Sequence, residues 1–396
     1  MTEQFDIVIS GGGIAGMVAS AAFGAAGFSV ACIDPAPPIT AEAAAGADTR
    51  STALMQPSVA LLREIGLWKR LEPYAAPLQI MRIIEAEGGE VRLTRDFNAA
   101  DISSAPFGWN LPNWLIRREL VAHLAGMGAV SFRPGLATQG VFTRDGAAEV
   151  TLSDGARVSA RLLLAADGRA SPVRQALGIG LRQFRYGQKA LAFTVTHPVP
   201  HENVSTEIHR SGGPFTLVPL PDRDGVPASA IVWMERGPEA ERLAALPVAD
   251  FEAALAERSC AILGPLTLTS KRAVWPMGAQ IARRFVAERV ALIAEAAHVV
   301  PPIGAQGLNM SLADIACLVE LARHDPAGLG NSAMLAAYQR RRWPEVAARV
   351  TAIDALNRAS MLGGWPLRDL RAGALAAMHA LTPLRRGVMR AGLGAR

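Results

Sequence analysis

Lysine is almost missing from this sequence. Only Lys69, Lys189 and Lys271 occur among 40 basic residues, so the formal net charge of +5 rests on arginine. The accompanying arginine and alanine bias reads as base composition rather than function, which argues against a nucleic-acid partner. Cysteine is scarce too. Cys32, Cys260 and Cys317 are odd in number and far apart, without metal-ligand or redox-pair spacing, so no metal site is expected and each reads as a small buried hydrophobe in a reducing cytosol. A nucleophile elbow and a candidate catalytic cysteine are both lacking. Charged residues make up only 19% against 50% apolar, the balance of a packed globular protein. A length of 396 residues suits one large domain with a smaller partner.

A membrane-spanning run is also wanting. Ile7 to Ile33 carries no charge, but it holds Gly11, Gly12, Gly13, Gly16, Gly24 and Gly27, and the preceding MTEQFD has no basic residue of a signal peptide. It reads instead as a strand (FDIVIS), a tight turn, a buried helix to about Ala26 and a second strand, FSVACID. Further on, helical spacing runs from Ser58 to Arg70 and from Leu115 to Met127, while Ile80 to Thr94 reads as two strands around Gly88-Gly89. Val141 to Asp167 is a series of short strands broken at Asp-Gly turns. Between about Leu181 and Ser270 the texture becomes alternating strands with proline-rich connections. The nucleotide-domain pattern resumes at RVALIAEAAH. The expected division is therefore a discontinuous nucleotide-binding domain (1–75, 100–180 and 275–331), an inserted substrate domain (76–99 and 181–274) and C-terminal helices (332–396), with breaks at Gly363-Gly364, Pro366 and Pro383.

The first chemical signal is GxGxxG over Gly11, Gly13, Ala15 and Gly16, placed between a strand and a helix, with Asp34 about 20 residues on. Glycine is needed where the turn is tight and the backbone approaches a pyrophosphate, and the helix start offers free N–H groups. Asp34 is placed to accept from ribose hydroxyls. A second signal follows the strand VALIA. Glu295 offers a carboxylate to sugar-like hydroxyls, and Pro301 to Gly307 forms a rigid turn into a helix from about Leu308.

LLLAADGRASPVR (Leu162–Arg174), with Asp167 and Gly168, resembles the Asp-Gly motif of the flavin-dependent aromatic hydroxylases. VALIAEAAHVVPPIGAQGLNMSLADIACL (Val290–Leu318) resembles their second flavin-binding motif, and with Gly11–Gly16 the three stand in the family's order and spacing. Similarity continues through DTRSTAL, SGGPFTLVPLP and YQRRRWPEV, and PPIGAQGLN is most like the ubiquinone-biosynthesis hydroxylases. The resemblance implies an α/β fold, a Rossmann-like FAD-binding domain with an inserted β-sheet substrate domain and a C-terminal helical region. It implies FAD held by Gly11, Gly13, Ala15, Gly16, Asp34, Arg50, Asn113, Arg117, Asp167, Gly168, Glu295, Pro302, Gly304, Gly307, Leu308 and Asn309. Three positions depart from the pattern: Ala294-Glu295 replaces the usual Gly-Asp, and Ala165 replaces a glycine.

The implied reaction is hydroxylation of a phenolic, polyprenylated ring with O₂ and NAD(P)H; the resemblance implies a transiently bound donor, with which the lack of a second GxGxxG motif agrees. His298 is the one histidine in a flavin motif, a candidate for proton transfer or for holding the turn. His197, His201 and His209 lack metal spacing and read as surface or strand-end residues. The strands PFTLVPL and AIVWM suit the floor of an aromatic pocket or, equally, an ordinary core. Arg371, Arg385, Arg386, Arg390 and Arg396 form an acid-free basic end suited to peripheral contact with the inner face of a membrane or with other quinone-biosynthesis proteins. Two rivals share the motifs: a flavin-dependent reductase or dehydrogenase of a lipid, and a non-catalytic assembly protein.

Overall fold

The computed structural model describes residues 2–210, 212–361 and 382–393. The chain opens with β1 (Glu3–Ser10), α1 (Ile14–Ala25) and β2 (Val30–Asp34). Ile7, Val8, Ile9, Ala31, Cys32 and Ile33 are almost fully buried, the continuous apolar run of strands covered on both faces. Then come β3 (Ser51–Met55) and α2 (Gln56–Glu64), where the expected helix to Arg70 is cut by Gly66 at φ +76° and resumes as a single turn, Trp68–Leu71. β4 (Ile80–Glu87), β5 (Glu90–Asn98), β6 (Gly108–Pro112), α3 (Asn113–Leu124), β7 (Val130–Pro134) and β8 (Arg157–Ala165) follow. After them lie β9 (Leu181–Thr196), β10 (Val204–His209), β11 (Pro214–Arg223) and β12 (Val226–Arg236), then α4 (Gly237–Ala245) and α5 (Val248–Arg258). The last elements are β13 (Ala273–Ala282), β14 (Val290–Leu292), α6 (Gln306–His324), α7 (Ser332–Met361) and α8 (Thr382–Leu393).

Two large sheets organise these elements. The first has a parallel centre, β14-β8-β1-β2-β7, to which Thr138–Arg144, Ala147–Leu152 and Val286–Ala287 add antiparallel pairs, and α1 packs on α3 and α6 beside it. The second runs β13-β9-β12-β11-β10-β4-β5 and is antiparallel except where β10 meets β4. A small third sheet joins β3, β6 and Ala76–Leu78, so the start of the 76–99 segment pairs on the nucleotide side while its remainder extends the second sheet.

One face of the second sheet presents Leu191, Phe193, Phe215, Leu217, Ile231 and Trp233 to α4 and α5, whose Leu243, Phe251 and Leu255 are buried against it. Burying each such side chain contributes about 1.5–3 kcal/mol. These two helices are absent from the strand-only expectation for 181–274. Pro238 and Pro247 stand at their starts, where proline's fixed φ suits a helix and its missing N–H costs nothing. α7 runs through Pro344 and is pinned by Trp343 Nε1 to the Ala282 carbonyl at 3.0 Å and by the Tyr338 hydroxyl to the Leu292 carbonyl at 2.9 Å. The breaks expected at Gly363-Gly364 and Pro366 lie outside the described residues. Pro383 falls in the first turn of α8, and Met389 on that helix packs with Phe97 and Phe107.

Candidate active site

The three motifs converge on one edge of the parallel sheet. β1 ends at Ser10, β2 at Asp34, β8 at Ala165 and β14 at Leu292, so their C-terminal ends deliver the glycine turn, the acid, the Asp-Gly pair and Glu295 side by side. This is where open α/β sheets hold ligands. At Gly16 an added Cβ would stand 1.8 Å from the Gly11 carbonyl oxygen, and at Gly11, φ +109°, it would stand 2.3 Å from that of Ala166. No larger residue fits either place. A Cβ at Gly13 or Gly307 would meet nothing within 4 Å, so both face open space.

Asp34 shapes this turn directly. Its Oδ2 accepts from the Gly12 amide at 2.6 Å and Oδ1 from the Ala36 amide at 2.9 Å, leaving lone pairs on each oxygen for hydroxyl donors. Ala15 lies in the first turn of α1. Asp167 accepts from the Val173 amide at 3.0 Å through Oδ2, whereas its Oδ1 is buried with no hydrogen-bond partner among the described residues. Burial pushes this carboxyl above the usual range despite the Val173 bond. Gly168 follows at φ +84°.

Arg50 from one segment and Asn113 and Arg117 from another meet on Asp48, which is not among the expected cofactor-binding residues. Asp48 accepts from Arg50 Nε at 2.7 Å and Nη2 at 2.8 Å, from Asn113 Nδ2 at 3.0 Å and from Arg117 Nη2 at 3.4 Å. Burial alone would raise the Asp48 carboxyl, but the hydrogen bonds and charge of Arg50 outweigh it and hold the group below its usual range. The Arg50 guanidinium, just before β3 of the small sheet, also lies 4.3 Å from the ring centroid of Trp275 on β13 of the second sheet. The signal available in the sequence was Asp48 two residues before Arg50 in DTRSTAL.

The second motif departs from its expected form in detail. A single helical turn, Ala294–Ala297, follows β14, and Ala294, where the resemblance implies glycine, takes φ +54°. Glu295 points outward, 3.9 Å from Arg169 Nε. Pro302 is exposed and Gly304 sits at φ +62°; the helix begins at Gln306, two residues before Leu308. Asn309 turns its side chain inward: Nδ2 donates to the Ala53 carbonyl at 2.8 Å and Oδ1 accepts from the Met55 amide at 2.9 Å, tying α6 to β3. His298 is 2% exposed, with Nε2 2.7 Å from Asp314 Oδ2, while Arg342 Nε donates to Asp314 Oδ1 at 2.8 Å. This network joins the turn after β14 to α6 and α7.

The model of the FAD-binding-domain family matches residues 4–353. Over 393 residues the chain is 34% identical to the ubiquinone hydroxylase UbiL of Rhodospirillum rubrum, covering 98% of this chain and 89% of that protein. The chain belongs to the FAD-dependent aromatic hydroxylases. The hydroxylase is also 26% identical to the 3-demethoxyubiquinol 3-hydroxylase of Escherichia coli, with 100% of both chains covered. Among solved structures, p-nitrophenol 4-monooxygenase PnpA from Pseudomonas putida shares the fold at a TM-score of 0.80 and 19% identity, with 100% of both chains covered.

The site's own features fit FAD. The turn at Gly11 and Gly16 is closed to any side chain, Gly13 and Gly307 border open space, and the unpartnered Asp167 Oδ1 faces burial with one acceptor unused. The other face of the second sheet, turned away from α4 and α5, reaches the site through Trp275. Strand alternation and pairing place Thr216, Val218, Ala230, Val232, Ala192 and Trp275 there, the last in contact with Arg50. PFTLVPL and AIVWM thus serve both readings, with alternate residues in the core and on this face. The same face reaches a cleft of about 220 Å³ bordered by Tyr74, Trp114, Thr194, Leu220 and Ala228.

The three clustered histidines lie at or just beyond strand ends, as one of the two expectations had it, and only His197 is buried. His197 is buried, between the Val199 carbonyl at 2.8 Å and Ser229 Oγ at 2.9 Å, because β12 crosses directly beside it. His201 contacts the Leu220 carbonyl at 3.0 Å, and His209 pairs with Glu207 at 2.7 Å. Among the described residues no cluster suited to a metal ion occurs, and no helix is long and apolar enough to cross a membrane.

Proposed function

We propose that the hydroxylase adds one oxygen atom to the ring of a prenylated phenol in ubiquinone biosynthesis, with O₂ as oxidant and NAD(P)H as transient electron donor. One atom of O₂ enters the ring, and the other leaves as water with the two electrons of NAD(P)H and two protons. The carrying observation is the convergence of the glycine turn, Asp167 and Glu295 at the strand ends of one sheet, with the second sheet brought to the site by the Trp275–Arg50 contact. The names of the relatives support the substrate class.

FAD, when bound, supplies the electron transfer and oxygen activation that side chains cannot. In this reading the Gly11–Gly16 turn and the start of α1 hold its pyrophosphate, Asp34 the adenosine ribose and Glu295 the ribityl hydroxyls. Arg50, fixed by Asp48, offsets phosphate charge. The uncapped first-turn amides of α6, at Gly307 and Leu308, would face the flavin ring and stabilise negative charge on it. Thr216, Val218, Ala230 and Val232 floor the phenol site and exclude water, and the Tyr74–Leu220 cleft on the same face accommodates an apolar tail. Peripheral association with an anionic membrane would use α8, where Arg386 and Arg390 are exposed; binding to anionic vesicles at low salt, lost at high salt, checks it.

The test is an absorbance spectrum of purified protein, then anaerobic NAD(P)H addition, then air, with and without a prenylphenol. Flavin that bleaches, reoxidises and yields hydroxylated product is the expected result. Flavin that cycles without hydroxylating favours a reductase, and absence of flavin favours an assembly protein.

A further inference from the structure

α6 begins without the usual protection. Its N-cap is Ala305, at φ +54°, which has no side-chain acceptor, and its first turn contains no acidic residue. Gln306 at the first helical position caps no N–H; it folds back, its Nε2 donating to the Gly304 carbonyl at 2.9 Å. The other end of the same amide, Oε1, accepts from Arg349 Nη1 at 3.1 Å. Arg349 belongs to α7, so a cation from the C-terminal region is joined through one side chain to the loop that enters α6.

The surrounding charges decide what that cation can do. Arg342 is held by Asp314 in a buried pair, and Glu345 accepts from both Arg342 and Arg349, the latter at 3.2 Å. The Asp314–Arg342 pair cancels internally. Glu345 is 42% exposed and Arg349 28%, so solvent screens the carboxylate more than the guanidinium that reaches Gln306.

We propose that Arg349 is a positioning residue for the bound flavin: through Gln306 it fixes the Gly304–Gln306 turn, and it adds positive potential at the start of α6, where reduced flavin carries its charge. The inference rests on the placement of the flavin ring at the start of α6 given under the proposed function. Arg349 touches neither substrate nor cofactor in this account. It acts through Gln306 and through space.

The experiment is the two-electron midpoint potential of bound FAD in the holoenzyme, measured for wild type, Arg349→Gln, Arg349→Lys and Glu345→Gln at low salt. Arg349→Gln is expected to shift the reduced-to-oxidised ratio toward oxidised by roughly three- to tenfold, about 15–30 mV for a two-electron couple. Arg349→Lys keeps most of the wild-type value, and Glu345→Gln moves the potential the opposite way. Potentials that do not move, or that move in the same direction in both glutamine variants as general loosening would cause, overturn the proposal. Should Arg349→Gln fail to retain FAD, the sign in Glu345→Gln and the value in Arg349→Lys decide. The placement itself is tested by Gly307→Val, whose added side chain enters open space and should displace FAD. Undiminished FAD affinity in that variant would reject the placement; FAD loss with unmoved potentials in the Arg349 and Glu345 variants rejects only the role of Arg349.

Discussion

Asp48 grips Arg50 at two points, 2.7 Å from Nε and 2.8 Å from Nη2, and with its second oxygen also holds Asn113. Its carboxyl, ordinarily near 3.8, is held lower in the folded protein by Arg50. A depressed acid contributes stability that is complete above its unfolded value and disappears as pH falls through its folded value. The contribution is therefore present at neutral pH and lost below about pH 4. Asp48→Asn should cost about 1–2 kcal/mol at pH 7, less than a fully buried charged hydrogen bond because Arg50 is 40% exposed. Urea unfolding at pH 7 and acid titration of FAD release measure both, and an unchanged acid profile in the variant would contradict the assignment.

Ala294, where the resemblance implies glycine, occupies the left-handed region at φ +54°. An L side chain there costs roughly 1–2 kcal/mol. Ala294→Gly relieves that strain but frees the unfolded chain, so the expected net gain is about 0.5–1 kcal/mol. Denaturant midpoints of the apoprotein test this directly; a destabilised variant would mean that the methyl, 7% exposed in the core, packs better than its backbone strain suggests.

How much of this was legible in advance depends on the range of the interaction. The strand, glycine turn and helix of residues 3–25 could be read because the steric need for glycine at Gly11 and Gly16 is encoded within a few residues. The small-residue face of the second sheet was half legible: alternation marks two faces but does not say which meets α4 and α5. Asp48 was not read as a hub because Asn113 and Arg117 lie 65 and 69 residues away and only the fold joins them. The same holds for Arg342, whose partner Asp314 is 28 residues distant and on another helix.

Val218 pairs with Ala230 on the sheet face turned away from α4 and α5, so an indole placed there is expected to fill the proposed phenol site and leave the glycine turn intact. Val218→Trp should raise the KM for a phenolic substrate at least roughly tenfold, the scale on which overfilling a packed site costs 1–3 kcal/mol. FAD content should stay at the wild-type level. A KM unchanged in a variant that still binds FAD would move the substrate elsewhere, with the Tyr74–Leu220 cleft the next place to probe.

Asp314 is fully buried and serves two cationic or potentially cationic groups, His298 and Arg342, from its two oxygens. Removing the carboxylate leaves Arg342, 5% exposed, with Glu345 at the protein rim and the Met310 carbonyl as its remaining partners. Breaking such a buried pair from one side costs about 3–5 kcal/mol, because the desolvated charge stays behind. Asp314→Ala should therefore lower stability by that amount and loosen the turn between β14 and α6. Replacing both partners, as in Asp314→Leu with Arg342→Met, removes the stranded charge and should recover much of the loss. A double-mutant cycle in urea is the measurement. If the double variant falls as far as the sum of the singles, the network is independent packing and not a coupled charge pair, and the His298 turn is held by its apolar neighbours.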